Sequence, residues 1–197
     1  MKDNLTDRSP LQAASFLALR ILDAEAVGPL AMQWLEQNLD EGSAELAALA
    51  LDPPRDRPTC QERLQSALRE LGIPIPNRDR AVFVALEFYL SSLAEGSLRP
   101  MTAMQAIDEL YHIRGTAEFR HPAASADRTV RYAGADLGLE FLYTWYRELQ
   151  DAEDGSALFY FNEFPKNQQI AKFEEELIRE ASDLRRHLHR VHPTVAF

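Results

Sequence analysis

Apolar residues recur at spacings of three and four along most of this chain, the pattern of helices that each bury one face. Ser9-Pro10-Leu11-Gln12 has the form of a helix start. Ser9 can accept from a free N–H, Pro10 suits the first helical position, and Gln12 can reach back. A first helix is expected to run to about Ala26 on a stripe of Leu11, Ala14, Ala18 and Leu22, flanked by Phe16, Leu19 and Ile21. Gly28-Pro29 breaks the pattern, and Leu30, Trp34 and Leu35 mark a short second helix. The alanine- and leucine-rich run from Ser43 predicts a third by propensity, stopped by Asp52-Pro53-Pro54. Thr59-Cys60-Gln61-Glu62 reads as a capping box for a fourth, which carries Leu64, Ala67, Leu68 and Leu71 up to a C-terminal Gly72.

After the extended connector IPIPN, Asn77 caps a fifth helix through Ala81, Leu86, Tyr89, Leu90 and Leu93 to Gly96. Pro100 opens a sixth, to about Ile113. From Thr116 to Ala135 the periodicity stops and a long connection is expected. Asp136 is placed to cap a helix through FLYTWYRELQDAE that ends at Gly155, and SALFYFNEF is expected to be extended or irregular, since no partner strand is evident. Pro165 opens the longest helix, to about Arg190, with Ile170, Phe173, Leu177, Ala181, Leu184, Leu188 and Val191 in one stripe and Glu175–Arg179 as an i,i+4 pair. That stripe is expected to bury against the chain's own domain, with a homodimer through this helix as the alternative.

The fold class is therefore mainly α: an irregular multi-helix bundle of helical hairpins with little or no β-structure. Residues 1–115 form an N-terminal array of hairpins, 116–135 the long connection, and 136–197 an aromatic-rich helical part sharing one core with the first. Two hairpins resemble each other, with Phe16-Leu17-Ala18-Leu19, Gly28 and Ala31-Met32-Gln33 in the same order as Phe83-Val84-Ala85-Leu86, Gly96 and Ala103-Met104-Gln105. Either a duplication or shared capping rules produce such a likeness.

Charge narrows the partners. Thirty-one acidic against 21 basic residues give a net −10, which disfavours nucleic acid and anionic membranes and favours a basic protein. The start MKDNLTDRSPLQ lacks the cationic and apolar regions of a signal peptide. A single cysteine, Cys60, excludes an internal disulfide, so a cytoplasmic location is expected.

Candidate chemistry is sparse. HLHRVH groups His187, His189 and His192, but residues two apart on a helix point away from each other. A cationic helix end fits these residues better than a metal site, and no cofactor is expected. Glu118 and His121 in the long connection, and His112 three residues after Glu109, are the candidates for acid–base catalysis. No HExxH, GxSxG, Walker-type or GxGxxG pattern accompanies them. Ten of the 18 aromatic residues lie at or beyond Phe141, which gives that region area for a core or for a partner. Tyr143, Trp145, Tyr146, Asp151, Glu153 and Asp154 are the partner-binding candidates. They suit a non-catalytic acidic interaction module, of the inhibitor or immunity type, that covers a basic protein. A helical enzyme using Glu118, His121 or His112, or a small-ligand domain lined by the aromatics, are the alternatives.

Overall fold

Helices are the only regular elements among the described residues of the computed structural model, as the spacing of apolar positions requires. The structure describes residues 8–39, 43–113 and 139–191, with side chains up to 110 in the second segment and up to 190 in the third. In chain order the helices are α1 (Pro10–Ala18), α2 (Ala24–Glu36), α3 (Ala44–Leu51), α4 (Arg57–Glu70), α5 (Arg78–Ala94), α6 (Pro100–Ile113), α7 (Glu140–Asp154) and α8 (Lys166–Val191). None is long and apolar enough to cross a membrane. The chain divides into two units, Met1–Ala85 and Leu86–Phe197, with the boundary inside α5. Asp136 lies outside the described residues.

In the first unit α2 packs on α3, and α4 packs on α1, α2 and α3. The expected capping box is present, with Ser9 and Gln12 each accepting from the other's backbone N–H. The helix ends well before Ala26, however. Arg20 turns left-handed at φ 59, and the Ile21 and Arg20 N–H groups return to the carbonyls of Phe16 and Leu17, the paired bonds of a Schellman ending. This reversal allows Leu19 and Leu22 both to be buried. Helices α2, α4 and α5 end the same way, through Asn38, Gly72 and Gly96.

Gly28-Pro29 does not break a helix but lies inside α2. Gly28 is there because α2 passes close to Pro53: a Cβ at this position would stand 2.9 Å from the Pro53 Cγ. Helix α4 begins at Arg57, not at Thr59, because Asp56 accepts from the Thr59 N–H at 2.9 Å and Pro58 suits the first turn. Ser43 caps α3 through the Leu46 N–H and donates to Glu70, tying the start of α3 to the end of α4. The two hairpins that resemble each other in sequence differ at two of the matched positions. Gly28 is mid-helix where Gly96 is a left-handed terminus, and Met32 is 43% exposed where Met104 is buried.

In the second unit α6, α7 and α8 pack pairwise on one another. Phe173, Leu177, Ala181, Leu184 and Leu188 of α8 are buried within the chain as their spacing requires. Arg179 does not pair with Glu175. Its guanidinium meets Glu176 and Glu180. Residues 156–164 form an irregular connection between α7 and α8.

Candidate partner-binding surface

The inner face of α7 is set by Leu142, Tyr146, Leu149 and Ala152, all buried. Tyr146 is only 6% exposed, and burial, with Asp108 of α6 as a second cause, pushes its phenol pKa up. Tyr143 is half-buried with its ring edge-on to Tyr146. Trp145 and Asp151 are half-buried, and Glu153 and Asp154 are exposed at the helix end. Gly155 closes the helix at φ 78, a conformation that glycine adopts without strain.

Glu148 departs from this pattern. It is a carboxylate only 3% exposed, and its Oε2 accepts from two successive N–H groups, Phe159 at 3.0 Å and Tyr160 at 3.3 Å. A buried carboxylate needs such partners, and here the partners fix the connection. Trp145 lies beneath the same segment, with its ring centroid 5.1 Å from Tyr160, 6.2 Å from Phe161 in a stacked arrangement and 6.3 Å from Phe173. Phe161 takes a left-handed φ of 58, which disfavours a bulky side chain. Its carbonyl accepts from Phe164 and from the Gln169 side chain, and Asn162 donates to the Leu158 carbonyl at 2.8 Å.

The result is a fixed connection that presents apolar rings to solvent. Phe159 is 80% exposed and Tyr160 47%. Phe141, also exposed, lies one helical turn before Trp145. Burying a Phe side chain is worth about 1.5–3 kcal/mol, stabilisation that Phe159 leaves unused in this chain. The other rings pack against one another, which fills the space a ligand pocket among them would need. Lys172 places its ammonium over Phe164 at 4.4 Å and over Phe161 at 5.4 Å.

The segment that carries these rings is acidic. Between Glu140 and Glu180 there are ten Asp and Glu residues against four Lys and Arg. Burial, and then the like charge of Glu153, raise the Glu174 pKa above the usual carboxylate range. Lys166 reaches the Glu153 backbone carbonyl, not its carboxylate.

No protein-family model, curated protein or solved structure matches the chain. Glu118, His121 and His192 lie outside the described residues, as does the side chain of His112. His189 and Arg185, near the end of α8, both reach Glu87 Oε1, at 2.9 and 2.5 Å, and Arg185 also meets Glu95 at 3.2 Å. Arg185 and His189 of α8 are thus engaged with Glu87 of α5 and, for Arg185, with Glu95 just beyond its end. Cys60 is buried, donates to the Pro54 carbonyl, and has its thiol pKa pushed up mainly by burial, which opposes a reactive thiolate. Among the described residues no group of three His, Cys, Asp or Glu side chains could hold a metal ion.

Glu148 is the residue that periodicity alone passes over. The signal was nonetheless present: helical spacing places this carboxylate between Trp145 and Ala152 on a largely apolar row, where only a specific partner makes it tolerable.

Proposed function

We propose that this protein is an acidic helical interaction module that covers a basic protein partner in the cytoplasm, as inhibitor- and immunity-type proteins do. The observation that carries this reading is Phe159, 80% exposed on a connection fixed by a buried carboxylate, in a predominantly acidic stretch of the sequence. Exposed rings supply apolar contact area with little side-chain entropy to lose. The carboxylates steer a cationic partner and repel nucleic acid and anionic lipid. In this reading Asp151, Glu153 and Asp154 form the charged rim. Trp145 supports the exposed rings, with Tyr143 and Tyr146 holding α7 against the core below.

The test is affinity capture from the source cell with the wild type and with the triple variant D151N/E153Q/D154N, at low and moderate salt. A basic protein recovered in equal amount by the wild type, reduced by salt and lost with the variant, is the expected outcome. Equal recovery by both proteins, or no recovery at all, overturns the reading.

A further inference from the structure

Resting on that reading, we propose that the partner is engaged through arginine: guanidinium groups of a basic segment lie flat on the exposed rings of Phe159 and Tyr160, with carboxylates of the surrounding surface receiving their N–H groups. Three observations lead to this chemistry. Cations already lie on aromatic rings within this chain, Lys172 on Phe161 and Phe164 in the same connection and the Arg8 guanidinium on Phe16 at 4.3 Å. Tyr160 continues that ring cluster outward from Trp145 into solvent, and the preceding residue, Phe159, is exposed as well. Exposed Asp154 and Glu163 lie five residues before and four residues after Phe159 in the same short stretch.

Arginine suits such a surface better than lysine. Its planar guanidinium stacks on a ring while its edge still donates to a carboxylate, and it is less strongly hydrated than an ammonium. The connection is also set in advance. Glu148 holds the N–H groups of Phe159 and Tyr160, so the two rings lose little freedom when they are covered. A second copy of this chain is a poor occupant, because it would bring a further net −10 to an acidic face.

Fluorescence anisotropy with labelled nona-arginine and nona-lysine peptides, at near-physiological salt, tests the proposal. The wild type should bind the arginine peptide about fivefold more tightly than the lysine peptide. In F159A/Y160A the two affinities should become about equal, while the lysine peptide binds as before. Phe159 is 80% exposed and Tyr160 47%, so the loss falls mainly on the surface, and a thermal melt of the variant verifies that it is folded. The variant D151N/E153Q/D154N should weaken both peptides. An arginine-to-lysine ratio near one in the wild type, or a ratio that F159A/Y160A leaves unchanged, overturns arginine docking. The basic-partner reading then stands if the acidic-rim variant still weakens both peptides. Failure of the wild type to bind either peptide overturns both.

Discussion

Glu148 occupies a position where an apolar residue would satisfy the helix pattern, and it shapes the surface above without being part of it. Its carboxylate stands in for the carbonyl acceptors that an irregular connection does not provide for the Phe159 and Tyr160 N–H groups from its own backbone. Glu148→Ala should lower stability by about 1–3 kcal/mol, since two N–H groups lose their acceptor. The connection should also become more accessible, read as faster amide exchange at Phe159 and Tyr160. Glu148→Gln, which keeps an acceptor oxygen, should recover much of the protection. Unchanged exchange in the alanine variant would show that the connection holds its shape by ring packing alone.

Between α7 and α8 the important feature is two like charges brought close. Glu174 has its folded-state pKa raised by burial and by Glu153, so the folded protein holds this proton more tightly than the unfolded chain. The group therefore favours the fold below the usual carboxylate range and opposes it as pH rises through the raised value. Glu174→Gln should accordingly raise the melting temperature at pH 7 and leave it nearly unchanged at pH 4. Glu174 is partly exposed, and solvent screening holds the gain below about 1 kcal/mol. A gain at pH 4 equal to that at pH 7 would rule out charge as its origin. The helices themselves were legible, because the α8 stripe and the caps at Ser9 and Asn77 follow from local rules. The turn at Arg20 and the true cap of α4 were not. A left-handed arginine carries no sequence signal, and Asp56 and Thr59 offer rival starts to one helix. Within the candidate surface the acidic end of α7 was legible from composition. The exposure of Phe159 was not, since it depends on which ring Trp145 selects as its neighbour.

At the scale of the whole molecule, the apolar stripe of α8 is buried within its own chain, and the net charge of −10 makes two copies repel. Analytical ultracentrifugation of the isolated protein should therefore give the mass of one chain across a range of concentrations. A concentration-dependent dimer would place a second copy on the exposed rings or along α8. Both units lack disulfides and rest on helix packing, so their geometry depends on where the helices are allowed to touch. Gly28 shows how local that permission is. A single hydrogen in place of a methyl group lets α2 meet Pro53. Pro53 lies two residues past the end of α3, so that hydrogen sets how closely α2 can approach the chain leaving α3. Position 28 is thus a reference mark for the first unit, where even the smallest added side chain would force α2 and Pro53 apart.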